Sequence, residues 1–191
     1  MKKQLVIALM AAFCASPAFA ALKVGDKAPD FSATAVMAGK EFNFNLKTAL
    51  KKGPAVVYFY PAAYTKGCDI EAHAFAVNAD KFAAAKATII GVSADSPARL
   101  QEFSSDPAYC AGKFAVASDA DTKIAESYKL NVTAARKITD ERKGTTFHAI
   151  IERVTYVIGK DGKILAALSS KEDGISPEGH VEKSLAMVSA K

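Results

Sequence analysis

The sequence predicts an α/β fold, a central mixed sheet flanked by helices, and three observations lead there. Two apolar, β-branched runs, AVVYFY at 55–60 and ATIIGVSA at 87–94, read as strands buried on both faces. Between them an Ala-rich stretch, 67–86, sets Phe75, Ala79 and Phe82 on one helical stripe. The β-α alternation then repeats before giving way to a hairpin and a closing helix, the order of a layered α/β sandwich.

Each element has its own signal. From Val24 to Leu46 the chain reads as turns and short strands; Ala28-Pro29 favours extended backbone, and Ala38-Gly39-Lys40 suits a hairpin turn. Lys51-Lys52-Gly53-Pro54 breaks the chain before the first buried strand. Ser96-Pro97 opens a helix over 96–103, with the serine as cap and the proline in the first turn. FAVAS at 114–118 reads as a third strand, and 119–128 as a short helix. RVTYVI at 153–158 and KILAALS at 163–169 flank Gly159-Lys160-Asp161-Gly162, a hairpin with an Asp-Gly turn. SPEGHVEKSLAMVS at 176–189 is an amphipathic helix with proline near its start. The segment 130–151 carries mixed charge and little periodicity, and is expected to be a loop with at most a late strand. A mainly parallel first half and an antiparallel second half fit a thioredoxin-like arrangement.

Bulk properties narrow the function. A chain of 191 residues suffices for one domain with a sizeable core. Residues 1–20 have the pattern of a cleavable secretory signal: Lys2 and Lys3, then the apolar run LVIALMAAFCA, then Ala18-Phe19-Ala20. That run is too short to span a bilayer. Cleavage after Ala20 removes Cys14 and leaves a domain at 21–191, exported to a periplasmic or secreted location. Without Lys2 and Lys3 the formal charge falls from +5 to +3, with no basic run interleaved with aromatics, so neither nucleic-acid nor membrane binding is indicated for the mature chain. His73, His148 and His180 lack ligand spacing, and no metal or cofactor is implied. Cys68 and Cys110 remain, enough for one bridge in an oxidising compartment.

Cys68 follows a buried strand and a loop and sits in the first turn of a helix. Such a sulfur lies at the C-terminal edge of the sheet and feels the helix N-terminus, which favours a thiolate. A small buried core residue is the plain alternative. The surrounding motif decides between them: Pro61-x-x-x-Thr65-x-x-Cys68, with Glu71 three residues on. It resembles the active-site motif of the peroxiredoxins. APDF at 28–31, IIGVSADSP at 89–97, FAVASDADTKIAESY at 114–128 and RVTYVIGKDGKI at 153–164 extend the resemblance across most of the mature chain, closest to the bacterioferritin-comigratory or Q-type branch.

The resemblance implies a thiol peroxidase that reduces hydrogen peroxide and organic hydroperoxides. Cys68 would be the peroxidatic thiolate, becoming a sulfenic acid. Thr65 and the backbone N–H groups of Gly67 and Cys68 would bind thiolate and peroxide, and Arg153 would stabilise the developing charge. Pro61 would cover the sulfur, and Glu71 would orient the arginine. Plain alternatives exist: Pro61 as a strand end, Thr65 as a helix cap, Arg153 as a surface residue with Arg99, Arg136 and Arg142 as rivals. The resolving cysteine that many members of this branch carry five residues after the first is His73 here. Cys110 is then the expected resolving thiol; a one-Cys enzyme served by an external thiol and a static 68–110 bridge are the other readings. A thioredoxin-like or other thiol reductant and a monomeric or dimeric state are implied. An exported disulfide oxidoreductase of the same fold would carry C-x-x-C where this chain has T-x-x-C, and a non-catalytic binding module would not need Cys68 at all.

Overall fold

The computed structural model describes residues 21–140 and 143–190; the expected signal segment lies outside them. The chain runs β1 (Ser32–Met37), β2 (Lys40–Asn45), α1 (Leu46–Leu50), β3 (Ala55–Phe59), α2 (Lys66–Ala84), β4 (Thr88–Ser93), α3 (Pro97–Ser105), β5 (Ala115–Ser118) and α4 (Lys123–Ser127). It continues with β6 (Val132–Asp140), β7 (Gly144–Ile151), β8 (Val154–Ile158), β9 (Ile164–Ser169) and α5 (Pro177–Ser189). Seven strands form one sheet in the order β2-β1-β5-β4-β3-β8-β9. The strands β3, β4 and β5 are mutually parallel, and both flanking pairs are antiparallel. The mixed sheet expected from the sequence is the one observed, and the arrangement is thioredoxin-like.

Alternation along β3 explains its uninterrupted apolar sequence. Ala55, Val57 and Phe59 face one core, shared with Leu46, Tyr128 and Ile151; Val56 and Tyr58 face the other, shared with Phe75, Phe82, Leu100 and Phe103. Helices α2, α3 and α5 cover the second face. There Tyr58 stacks on Phe75 at 4.6 Å between centroids and on Tyr60 at 5.3 Å. Gly91 of β4 makes room for this stack, since a Cβ on it would lie 2.6 Å from the Tyr58 ring.

Helix ends follow local chemistry. The Ser96 hydroxyl caps α3 through Arg99 N–H and the Ser176 hydroxyl caps α5 through Gly179 N–H, each followed by proline. The Asp119 carboxylate accepts from Ile124 and Ala125 N–H at 3.0 and 2.8 Å and so pins α4. Ala38 and Gly39, at φ 49° and 74°, turn the β1–β2 hairpin.

The expectation of a loop over 130–151 is corrected. Strands β6 and β7 form a separate two-stranded antiparallel sheet. Most β6 side chains are exposed, so neither face needs an apolar alternation, and the arm leaves no period-two pattern in the sequence. Lys143 ties the arm to Glu102 at 3.0 Å, and His148 Nε2 meets the buried Asp95 at 3.1 Å. A five-residue helix, α1, also went unpredicted; its cap is Asn45, which accepts from Thr48 N–H. Among the described residues no helix is long and apolar enough to cross a membrane.

Candidate active site

The loop after β3 delivers Cys68. Ala63 N–H donates to Asp95 Oδ2 at 2.8 Å, and Arg99 donates to the Ala63 carbonyl at 3.2 Å while pairing with Asp95. Tyr64 is held at φ 63°, a left-handed conformation uncommon for a tyrosine, with the Arg99 guanidinium 4.9 Å from its ring centroid and Lys143 Nζ 5.3 Å from it. Thr65 occupies the N-cap position of α2, which puts Cys68 on the third helical residue. The site thus stands at the C-terminal end of the parallel strands, where open α/β sheets carry their chemistry.

Arg153 arrives from the neighbouring strand. Val154 pairs with Phe59 in the antiparallel β3–β8 register, so the residue before β8 emerges beside the loop that leads to Cys68. Arg153 Nη2 donates to Cys68 Sγ at 3.1 Å, and Nη1 donates to Glu71 Oε2 in a short contact. Gly67 permits this approach, because a Cβ there would sit 3.2 Å from Nη2. Of the rival arginines, Arg99 serves the Asp95 network and Arg136 is exposed on β6; Arg142 lies outside the described residues.

The other expected residues fall as follows. The Thr65 hydroxyl donates to the Ala62 carbonyl at 2.8 Å, and it also acts as a hydrogen-bond partner that favours the Cys68 anion. A hydroxyl has one proton, so it serves either the carbonyl or the sulfur at any moment. Cys68 N–H donates to the Thr65 carbonyl at 2.8 Å, closing the first turn of α2, so it is already engaged rather than open to a peroxide oxygen. Pro61 is half-buried in the loop that follows β3. Cys110 is a free thiol, fully buried in the same apolar cluster as Cys68, and follows Tyr109, whose ring lies 5.4 Å from that of Tyr64. His73, in the place of the adjacent resolving cysteine, is exposed, with Nδ1 3.2 Å from the Ala108 carbonyl. An open cleft lined by Tyr64, Thr65, Asp69, Ile70, Tyr109 and Asp140 runs between Thr65 and the Cys110 segment.

The charges of the site oppose one another. Burial pushes the Cys68 thiol up, while the Arg153 guanidinium and then Thr65 pull it back. The sequence expects the helix N-terminus to lower it; in the closed site desolvation outweighs that. Burial likewise pushes Glu71 up to about 7 against the pull of Arg153. Burial, then Asp106 and Asp69, push the Cys110 thiol up well beyond its ordinary value.

Sequence reasoning missed the groups behind Glu71. Thr155 Oγ1 lies 3.4 Å from Glu71 Oε1 and 2.8 Å from His180 Nδ1; His180 Nε2 lies 2.9 Å from Ser170 Oγ. Thr155 had a signal, since it stands two residues after Arg153 and strand residues two apart share a face. His180 had none, because only the packing of α5 on α2 and β8 brings it there.

Comparison with known proteins gives the family. Residues 24–167 match the model of the AhpC/TSA family. The chain belongs to that family. Peroxiredoxin Bcp of Escherichia coli is 32% identical over 143 residues, 75% of this chain and 83% of its own length. Peroxidoxin BcpB from Mycobacterium tuberculosis superposes with a TM-score of 0.71 at 30% identity, covering 88% of this chain and 97% of that one. The bacterioferritin comigratory protein of Xanthomonas campestris, at 23% identity and TM-score 0.64, shares the fold. The chain is therefore a peroxiredoxin of the bacterioferritin-comigratory type, a thiol-dependent peroxidase. Alkyl peroxide reduction is the activity described for the Xanthomonas campestris protein.

Proposed function

We propose that this peroxiredoxin reduces hydrogen peroxide and organic hydroperoxides through a sulfenic acid on Cys68, resolved within the chain by Cys110. The observation that carries the reading is the Arg153 fork, one arm on Cys68 Sγ at 3.1 Å and the other fixed by Glu71. A thiolate is the nucleophile toward the O–O bond, and a rigid guanidinium beside it stabilises both that anion and the charge spreading onto the peroxide oxygens. The hydroperoxide enters by the cleft beside Thr65, whose hydroxyl turns from Ala62 to the sulfur or the peroxide oxygen. The thiolate takes the distal oxygen, leaving Cys68–SOH and an alkoxide or hydroxide that is protonated by solvent.

Resolution then joins Cys68 to Cys110 with loss of water. Their shared cluster and the Tyr64–Tyr109 contact support this reading. Both sulfurs are buried, so the first turn of α2 and the 106–112 segment must open locally before the sulfurs meet. A thioredoxin-like dithiol regenerates the enzyme, in the periplasm or outside the cell if residues 1–20 direct export. An N-terminus at Ala21 in the purified exported protein supports that location; a retained Met1 opposes it.

Hydroperoxide consumption with a dithiol donor, compared between the native chain and Cys68→Ser, tests the peroxidase mechanism. Turnover must vanish in the variant. Insulin reduction without peroxide use would instead support a disulfide oxidoreductase.

A further inference from the structure

Behind Glu71 a file of hydrogen-bonding groups leads from the buried ion pair to the half-buried loop before α5. We propose that Glu71, Thr155, His180 and Ser170 form a reversible proton relay between the Arg153–Cys68 pair and the surface. His180 is its positioning residue, and its ring tautomer follows the protonation of Glu71. The proposal rests on the peroxidatic role of Cys68 given above.

The direction of each hydrogen bond carries the inference. The Ile175 carbonyl can only accept, so the Ser170 hydroxyl donates to it, at 2.9 Å. With that proton committed, Ser170 Oγ accepts from His180 Nε2–H at 2.9 Å. His180 is fully buried, and burial, reinforced by Arg153, pushes it down to about 4, so its ring is neutral and carries one proton. Nδ1 is therefore bare and accepts from the Thr155 hydroxyl at 2.8 Å. Thr155 then has no proton left for Glu71 Oε1, 3.4 Å away, and that pair is bonded only if Glu71 carries the proton. Every donor and acceptor is satisfied when the file starts on a protonated Glu71 and ends on Ile175.

The opposite polarity is also complete. An ionised Glu71 accepts from Thr155, which accepts from His180 Nδ1–H, and Nε2 accepts from Ser170. Only the Ile175 carbonyl loses its donor, and Ile175 is half-buried, within reach of water. The groups facing Glu71 are Tyr58 from β3, Arg153 and Thr155 at β8, and His180 from α5, and Cys68 on its own helix shares Arg153 with it. Those facing the ring are Glu71, Arg153, Thr155, Ser170 and Asp173.

The switch has a use in the peroxidase reaction. One buried cation, Arg153, stands between two acidic groups. While Cys68 is a thiolate, a neutral Glu71 leaves the guanidinium to the sulfur. When the thiolate is consumed, Glu71 ionises: each proton moves one place along the file, the Ser170 proton passes to water at the half-buried end, and water protonates the departing alkoxide or hydroxide. The balanced step is Cys68–S⁻ plus Glu71–COOH plus ROOH giving Cys68–SOH plus Glu71–COO⁻ plus ROH. The sulfur is oxidised, the O–O bond is reduced, and the buried site keeps its net charge.

Ring-nitrogen NMR of the full chain labelled with ¹⁵N-histidine reads the tautomer directly and does not depend on turnover. The expected result is Nε2–H on His180 while Cys68 is a thiolate, Nδ1–H at the same pH in Cys68→Ser, and Nε2–H at every pH where the ring is neutral in Glu71→Gln, whose amide oxygen is held by the donor-only Arg153 so that its NH2 group donates to Thr155. Ser170→Ala, at the half-buried end of the file, removes two hydrogen bonds when Glu71 is neutral, to Nε2–H and to the Ile175 carbonyl, and one when Glu71 is ionised, and so disfavours the neutral carboxyl; a urea titration confirms that it folds. The substitution should move the ionisation of Cys68, read by alkylation rate against pH, to a pH about one unit higher, and Ser170→Thr should restore it. One tautomer in all forms, or a cationic ring above pH 6, overturns the relay. Loss of hydroperoxide-dependent oxidation of Cys68 would instead overturn the peroxidase reading, a separate outcome.

Discussion

Replacing Arg153 by methionine keeps most of the side-chain volume and removes the charge. At 3.1 Å and an effective dielectric of about 20, two unit charges interact by about 5 kcal/mol. Arg153 is shared with Glu71 and is itself desolvated, its side chain being 11% exposed. The sulfur's part is then about 2–3 kcal/mol, the range of a charge-assisted hydrogen bond. The Cys68 thiol should rise by about 2 units, and the second-order rate with hydroperoxide at neutral pH should fall by about 10²–10³-fold. Arg153→Lys keeps a charge but not the planar fork that spans Sγ and Glu71, and should recover part of the loss. Stopped-flow oxidation across pH, with thiolate absorbance for the ionisation, measures both quantities. The native fold should survive, because an unpartnered Glu71 takes up a proton rather than remaining a buried anion. If Arg153→Met reacts within about twofold of the native rate and its thiol titrates unchanged, the electrostatic account of the site is wrong.

Peroxide should lighten the native chain by about 2 Da and join Cys68 to Cys110 in non-reducing peptide maps, whereas Cys110→Ser should gain about 16 Da on Cys68; oxygen on Cys68 with Cys110 still free in the native chain would refute the resolving role. Thr65→Val should slow oxidation of Cys68 by about 10–10²-fold, with Thr65→Ser close to native, since only the hydroxyl is needed; equal rates in all three would remove Thr65 from the site. Glu71, raised from 4.5 to about 7, binds its proton more tightly when folded, so its contribution to stability falls as pH rises through that window. His180, lowered from 6.5 to about 4, binds its proton more weakly when folded, so its contribution falls as pH drops through its own window. The two nearly cancel between about pH 4.5 and 6.5, and Glu71→Gln should uncover a rise of about 2–3 kcal/mol over that range in urea titrations, where a flat profile would deny the burial of His180. Gly91→Ala should cost about 1–3 kcal/mol by forcing the Tyr58 ring from its stack, a drop in Tm of several degrees by calorimetry; an unchanged Tm would mean that the stack yields freely.

The buried strands, the long helix and the capped helices were legible because each satisfies a local rule: apolar continuity in β3 and β4, Ser-Pro starts for α3 and α5, Asp-Gly in the β8–β9 turn. The β6–β7 arm was not, because an exposed ribbon needs no hydrophobic period, and its anchors, Lys143 on Glu102 and His148 on Asp95, join positions far apart in the chain. Cys68, Thr65, Glu71 and Arg153 stood out as a spaced motif. The motif did not contain the burial that raises Cys68 and Glu71, nor the engagement of Cys68 N–H within its own helix turn.

By itself, then, the order of residues determined the alternation of strands and helices, the sulfur on the first turn of α2 and the family to which the chain belongs, since these depend on neighbours a few positions apart. Only the tertiary structure decided which arginine meets the sulfur and that Thr155, His180 and Ser170 stand in file behind Glu71. Those contacts arise where the β3–β8 register and the docking of α5 bring distant segments together, and the low dielectric they create depends on what surrounds a group in space rather than in sequence.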